Sequence, residues 1–423
     1  MIAPAIFTQR FLAWVFMLAV GISLVPSTAS ANPVFARQYN LSCSACHAAY
    51  PRLNSFGRNF AAANLRLPNW KEQVTLDTGD SMLALPKVTP VGFRVQGYAQ
   101  TRSADVTDNT GKTTHQGDYD IQAPYLIKLF SSAPLSDEMS YYFYAMMAEK
   151  GSNGEILVED AWMSYDNLLG SGLRLTAGQF QLSDLMFPRE TRLTFQDFIP
   201  YRMAGITYDR GAQLSTDLNA PINVTFGVTN GNGITAQKSL NSAGFNRPDH
   251  TFDNNRSKTL FGRAGASLGE ANAGLFVAQG KRDNAAGPSL IDSQVLGLDM
   301  SYNVDDKLFL FAQLLQVDWK DFLGAGKSTQ WMGGFAGVDY VHSDHWVFSA
   351  LYNFADNKDF KNTGTVYEGI GLNSLTGTAS YYVKRNVKLL LEANYDLLAT
   401  DTRDGVGHDT QEHYFLVGFD AGF

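Results

Sequence analysis

Cysteine is nearly absent: the chain has 423 residues and only two Cys. A structural zinc site normally takes four Cys or His ligands, and after His47 no further His occurs before His115. A dithiol redox pair is expected within a βαβ pattern, and none surrounds these two residues. Charge is also sparse, 17% of residues with a net charge of −8. No basic patch or stripe stands out, which argues against a nucleic-acid partner. Long apolar runs are missing beyond the N-terminus. No later stretch has the roughly twenty consecutive apolar residues that a transmembrane helix needs.

The N-terminus itself reads as a targeting segment. Arg10 precedes an apolar run from Phe11 to Leu24, followed by Pro26 and the small-residue site Ala29-Ser30-Ala31. This is the layout of a secretory signal, with cleavage expected after Ala31 and residues 1–31 excluded from the fold.

The two cysteines belong to Cys43-Ser44-Ala45-Cys46-His47, a C-x-x-C-H pentapeptide and the attachment signature of a c-type haem. Two thiolates at this spacing can each add across one haem vinyl group, and the adjacent imidazole becomes the proximal iron ligand. Residues 32–89 form the expected haem-bearing segment and linker. Within it Leu53, Phe56 and Phe60 recur on one face of a predicted helix, which Pro68 ends. Residues 76–90 read as extended, with Pro86 and Pro90 bounding a linker.

From about Val91 helical periodicity gives way to alternation. Val91, Phe93, Val95 and Ala99 alternate with Arg94, Gln96 and Gln100. Val387, Leu389, Leu391, Ala393 and Tyr395 alternate with Lys388, Glu392, Asn394 and Asp396. One face suits lipid and the other a wet lumen. A soluble sandwich alternates too, but about sixteen strand-length segments fit between residues 90 and 423, an even count as bacterial barrels require. Short turns are expected at Asn219-Ala220-Pro221, Glu270-Ala271, Asp305-Asp306, Ser343-Asp344 and Arg385-Asn386. Long polar loops are expected at 104–118, 181–202, 232–257, 283–292, 319–328, 357–366 and 399–411. Short periplasmic turns and long outer loops are the habit of outer-membrane barrels. The last strand carries His413, Phe415, Val417, Phe419, Ala421 and Phe423 on one face and ends on that aromatic. The fold class is therefore mainly β: a transmembrane antiparallel barrel of about sixteen strands behind a small helical haem domain.

Pro33-Val34-Phe35-Ala36-Arg37, the C-x-x-C-H motif, and Pro51-x-Leu53-Asn54-x-Phe56-Gly57-Arg58-x-Phe60 together resemble the N-terminal signature of fused monohaem cytochrome–porins. The best-known members of that family are outer-membrane cytochromes of iron(II)-oxidising bacteria. The resemblance covers the haem segment residue by residue and the barrel in plan and size. It implies one covalent haem c, with Cys43 and Cys46 as thioether attachment points and His47 as proximal ligand. It also implies a haem domain in or at the mouth of the barrel.

For the sixth iron position the only Met between residues 32 and 90 is Met82, a candidate distal ligand that would raise the potential. A barrel side chain or an open position are the alternatives. His115, His250 and His408, with Asp105, Asp108, Asp249 and Asp253, lie in outer loops where carboxylate and imidazole suit transient contact with Fe(II). The less polar stretch from Leu185 to Arg202 is read either as an inward constriction or as a membrane-embedded cap.

The expected function is electron transfer across the outer membrane, from extracellular Fe(II) or another donor to a periplasmic c-type cytochrome, with a possible Fe(II):cytochrome c oxidoreductase activity. The alternatives are a solute channel with the haem domain as plug or sensor, and outward electron flow. Membrane lipid is the other expected partner. The linker of about fifteen residues spans at most about 50 Å, so the haem segment must lie at the periplasmic mouth or be tucked into the lumen, and residues 32–85 are expected to be at least partly inside the lumen. There Arg94, Gln96, Lys388 and Glu392 are its expected contacts.

Overall fold

Sixteen antiparallel strands close into a single barrel in a computed structural model of the chain. The structure describes residues 34–423 apart from 81, 84, 108–111, 150–151, 232, 235–255, 284–289, 323, 325, 357–370 and 398–408. Ahead of the barrel lie four short helices, α1 (Val34–Tyr39), α2 (Cys43–Cys46), α3 (Ser55–Ala62) and α4 (Trp70–Val74). Two small ribbons accompany them, β1 (His47–Ala49) with β2 (Arg52–Leu53), and β3 (Thr75–Leu76) with β4 (Leu85–Pro86).

The barrel opens with β5 (Val91–Thr107), β6 (Thr113–Pro134), β7 (Met139–Glu149) and β8 (Ser152–Tyr165). Next come β9 (Arg174–Gln181), helix α5 (Ile199–Ala204), β10 (Tyr208–Ser215), β11 (Ile222–Thr229) and β12 (Thr259–Leu268). They continue with β13 (Ala271–Asp283), β14 (Leu290–Asn303), β15 (Leu308–Lys320) and β16 (Thr329–Val341). The last four are β17 (Trp346–Ala355), β18 (Leu372–Lys384), β19 (Val387–Asp396) and β20 (Asp409–Gly422). Each strand pairs with its sequence neighbours, and β20 closes on β5 through Val417 opposite Ala99. No helix among the described residues is long and apolar enough to cross a membrane.

The strands are sorted inside out relative to a soluble protein. On β19 the outward Leu391 and Tyr395 are 42% and 56% exposed, while Glu392 and Asp396 point inward at 1% and 2%. On β11 the exposed set is Ile222, Val224, Phe226 and Val228, and the buried set includes Thr225 and Thr229. Exposed apolar side chains on strand after strand make sense only against lipid, where each backbone group must find its partner within the sheet. The inward charges pair with one another across the wall. Arg263 on β12 donates from Nε and Nη2 to Asp299 of β14 at 3.0 and 2.7 Å.

Short turns and both ends of the barrel sequence, Val91 and Phe423, share one rim, the periplasmic one by the length rule. There Phe93 and Phe423 exchange backbone hydrogen bonds and stack at 6.0 Å. All five short turns fall where the sequence places them, while most of each loop expected at 232–257, 283–292, 357–366 and 399–411 lies outside the described residues, and two outer connections need correction. Strands β5 and β6 run to Thr107 and from Thr113, so most of the polar stretch 104–118 is hairpin rather than loop, with Asp105 opposite His115. A backbone ladder does not need apolar side chains once it has left the membrane. Strands β7 and β8 are separated by residues 150–151 only, a short outer connection that polarity alone did not signal.

The connection between β9 and β10 folds into the lumen. Its root is tied by Leu182 N–H to Thr207 O and Ser183 N–H to Ile206 O, at 3.1 and 2.9 Å. Its middle is held by Glu392, whose carboxylate accepts the backbone N–H groups of Phe195 and Gln196 at 2.6 and 2.8 Å. Glu392 thus serves this inward loop rather than the haem segment. Phe198 stacks on Phe335 of the far wall at 4.2 Å, and Tyr201 is fully buried. Of the two readings of 185–202, the inward constriction is the observed one.

Two outcomes follow from this packing. Leu298 lies mid-strand on the outer face of β14. Leu298→Arg should therefore cost about 2–4 kcal/mol of folding stability in vesicles, read by guanidine unfolding. A neutral result would mean that the lipid-facing side is misassigned. Glu392→Ala strips both loop amides of a buried charged acceptor and should cost about 3 kcal/mol. The chain between Leu182 and Thr207 should then be cut by protease well before the barrel, whereas equal resistance in both proteins would mean that the loop is held elsewhere.

Candidate functional site

The C-x-x-C-H motif occupies one helical turn, α2, and delivers His47 into the ribbon β1–β2, opposite Leu53. Asn54 fastens this turn to α3. Its side chain caps the helix by accepting from Gly57 N–H at 2.9 Å, and its Nδ2 donates to Ala45 O at 2.9 Å and Ser44 O at 3.2 Å. Asn54 N–H also donates to Cys46 O at 2.9 Å. The approach is so close that a Cβ on Gly57 would fall 2.1 Å from Cys46 O, so only glycine fits there.

Asn54 starts the helix at Ser55, which takes Leu53 out of it and into β2. Of the predicted apolar face, Phe60 is buried against Phe35 and Tyr39, while Phe56 is 43% exposed. The helix ends before Pro68, at Ala62, because Asn64 and Leu65 take left-handed φ of 57° and 64°. Asn64 then locks onto the barrel rim. It donates to Asp166 at 2.9 Å, accepts from Ser164 at 2.6 Å, and its carbonyl accepts from Ser140 at 2.8 Å. Burial opposes the Asp166 charge, but Arg174, Asn64 and Arg66 together hold its carboxyl below the usual range.

The N-terminal segment therefore sits in the periplasmic mouth. Gln38 donates to Ser132 O at 2.9 Å, and Tyr382 donates to Tyr50 O at 2.6 Å. Arg94, one of the expected contacts, lies 5.7 Å from the Tyr50 ring. Between segment and barrel is a cavity of about 400 Å³, within the usual size range of ligand sites. Cys43, Cys46 and His47 line it from the segment side, and Phe130, Tyr142 and Trp162 from the barrel. Tyr142 and Trp162 are stacked at 5.2 Å and 3°. His47 Nδ1 lies 3.0 Å from Pro51 O. Against a carbonyl it can only donate, which leaves Nε2 as the free lone pair. Burial lowers the His47 pKa and raises those of both thiols.

The lining suits a tetrapyrrole: apolar and aromatic over most of its surface, with Cys, Cys and His together on one wall. Its inner end is polar and carries Arg94, Lys128, Asp184 and Glu190. Met82 is elsewhere. It is 92% exposed in the turn between β3 and β4, outside the lining of the cavity, so the linker does not bring it to the motif.

A second space of about 410 Å³ lies deeper in the lumen, beside the inward loop. Arg94, Lys128 and Glu190 line both spaces. They form a partition one side chain thick. Glu190 accepts from Lys128 at 2.9 Å, Arg94 at 3.3 Å and Tyr144 at 2.7 Å, and Arg94 also forks onto Asp420 at 3.0 and 2.8 Å. Burial pulls Glu190 upward, but Lys128 and Arg94 outweigh it and hold the carboxyl below its usual range. Asp184, on the haem-cavity side, is pushed up to about 7 by burial. Sequence reasoning named Arg94 and missed Lys128, Glu190 and Asp184. Their one signal was charge at inward positions and within a loop otherwise less polar than its neighbours.

Of the outer residues suggested for iron contact, the structure describes Asp105 and His115, which stand opposite each other across the β5–β6 hairpin. His115 is exposed on β6, and His250, His408, Asp108, Asp249 and Asp253 lie outside the described residues. Among the described residues no three His, Cys, Asp or Glu side chains converge as a metal site.

Among solved structures, the barrel is similar to an anion-selective porin from Comamonas acidovorans, with 16% identity, a TM-score of 0.51, and coverage of 79% of this chain and 99% of that one. It is also similar to the outer-membrane channel DcaP of Acinetobacter baumannii, with 11% identity, a TM-score of 0.50, and coverage of 79% and 97%. At such identities the likeness shows the fold alone. No curated protein matches the sequence. Residues 204–423, just over half of the chain, match the family described as "Putative beta-barrel porin-2, OmpL-like". The closed sixteen-strand barrel, its outward apolar belt and this match lead to one conclusion: the chain is a porin-like β-barrel of the bacterial outer membrane and belongs to that family.

Proposed function

We propose that this porin-like barrel holds one c-type haem at its periplasmic mouth and passes electrons through the outer membrane, from an external donor such as Fe(II) to a periplasmic c-type cytochrome. The observation that carries the reading is the placement of Cys43, Cys46 and His47 on one wall of a mostly apolar cavity between the N-terminal segment and the barrel. A haem bound there supplies a one-electron couple. The chain supplies the rest. Cys43 and Cys46 hold the macrocycle by thioethers, and His47 Nε2 is free to ligate while Pro51 O orients the ring. Tyr142 and Trp162 on the barrel wall would help keep water from a haem held there, and Arg94 and Lys128 at the polar end would suit its carboxylates. With Met82 in solvent, the remaining sources for a sixth ligand are the barrel wall and the inward loop, or the position stays open.

A second reading, a solute channel with the N-terminal segment as plug, is favoured by the family match and by the space of about 410 Å³ beside the inward loop. The two differ in what crosses the Arg94–Glu190–Lys128 partition. Electron transfer does not need it to open to solutes; a channel does.

Purified protein should keep haem on a denaturing gel stained for peroxidase activity, and Cys43→Ser/Cys46→Ser should lose the band. A mature protein with no covalent haem would end the electron-transfer reading. Stopped-flow mixing of oxidised protein with Fe(II) should reduce the haem, and His47→Ala should change the spectrum and slow the reduction by about tenfold or more. Open conductance together with a haem inert to Fe(II) would transfer the case to the channel reading.

A further inference from the structure

The space beyond the partition has a charge sign opposite to that of the whole chain. Its position is fixed by three strands in the same way. On β5 the haem cavity touches Gly92 to Arg94, and the deeper chamber runs from Arg94 to Arg102. On β6 the chamber spans Gln122 to Lys128 before the cavity takes over at Phe130. On β7 Tyr142 and Tyr144 face the cavity and Met146 the chamber. The chamber is thus the outer one, lying between the partition and the long loops.

The barrel wall gives this chamber Arg94, Arg102, Lys128 and Lys388, and the inward loop adds Arg189, Arg192 and Arg202. Against these seven cations stand four carboxylates, Glu159, Glu190, Asp197 and Asp420. Most carboxylates are shared: Asp420 between Arg94 and Lys388, Glu190 between Arg94 and Lys128, Asp197 between Arg189 and Arg192. Arg102 also pairs with Glu412 outside the lining at 3.3 Å, and Glu392 holds the lining residues Phe195 and Gln196 from behind; even with both carboxylates counted the cations exceed the anions by one. The Arg192 Nε is buried and finds no hydrogen-bond partner. In a chain of net charge −8 this is a local reversal. A narrow low-dielectric lumen focuses such a field, and guanidinium groups match carboxylate and phosphate oxygens in a fork.

We propose that the outer chamber is a binding site for small oxyanions, so that the solute reaching the partition is an anion or an anionic metal chelate rather than a bare divalent cation. The first half stands on the chamber alone. The second half rests on the electron-transfer reading, in which one electron leaves the chelated metal and the haem iron accepts it, with no bond or proton exchanged. It refines the expected donor: free Fe(II) is repelled by this lining, whereas an iron(II) polycarboxylate is drawn in.

The test uses the full chain in detergent and titrates citrate, inorganic phosphate and Mg²⁺ calorimetrically at low ionic strength. At least one of the two anions should bind and Mg²⁺ should not, and which anion binds more tightly tells carboxylate from phosphate. Arg192→Gln/Arg202→Gln lies outside the haem cavity and should weaken that binding by about tenfold or more. Arg202→Gln alone, at an exposed position, should weaken it measurably with the fold intact. Binding of Mg²⁺ with no anion bound, or no loss in either variant, overturns the site. Haem reduction is then timed with iron(II)–EDTA, an anion, and hexaammineruthenium(II), a cation. The anion should be faster, and salt and the double variant should erase its lead. A haem reduced faster by the cation in a protein that binds no anion sinks this proposal and leaves electron transfer standing. Anion binding in a protein without covalent haem does the reverse.

Discussion

A β-sheet in lipid cannot have an edge, because an unpaired N–H or C=O in hydrocarbon has no water to turn to. The pairing of β20 with β5 removes that edge, from Gly422 opposite Arg94 up to Asp409 opposite Thr107. Closure decides more than stability. It forces β5 to start on the rim where β20 ends, and so fixes the rim on which the residues before Val91 must lie. The C-x-x-C-H motif is at the periplasmic mouth because the barrel closes there. Asn64, Arg66 and Gln38 only fasten it in place.

Closure also creates an interior where charge is expensive unless paired. The inward loop is the answer to that cost. Glu392 is buried and would be destabilising alone, but it ends two backbone N–H groups of the loop and accepts from Thr378 and Tyr414. Glu190 is brought by the same loop to Arg94 and Lys128, two cations that strands β5 and β6 place in the lumen. Removing one member of such a set leaves an uncompensated buried charge, which costs about 3–5 kcal/mol. Loop and wall therefore specify each other.

These are the relations that the sequence could not display. Alternation along β5 shows that Arg94 faces inward, and the C-x-x-C-H spacing singles out Cys43, Cys46 and His47 as the residues on which the proposed haem site rests. Strand number and turn placement are legible because period and loop length are local. Which inward charge meets which is not local: Glu190 reaches residues 96 and 62 positions away. The same holds within the N-terminal segment. Asn54 and Gly57 stand in plain view, yet their role in clamping the motif turn depends on a contact with Cys46 that no periodicity encodes. Met82 misled for the opposite reason. Its type suited a ligand, but the turn between β3 and β4 holds it in solvent.

The partition ties the two spaces into one argument about transport. Solutes and electrons obey different limits. A solute needs a continuous opening about its own width, whereas an electron needs only short gaps between redox groups. A boundary of paired charges between the two spaces opposes the first and tolerates the second. Opening it to solutes would mean separating Glu190 from Lys128 and Arg94, at the cost of leaving buried charges unpaired. Under the electron-transfer reading no such motion is required: the donor docks on the arginine side and the haem lies on the aromatic side. The barrel keeps its porin form and conducts without opening. Under the channel reading the partition becomes a gate, and the energy that holds it shut is the barrier to every solute that passes.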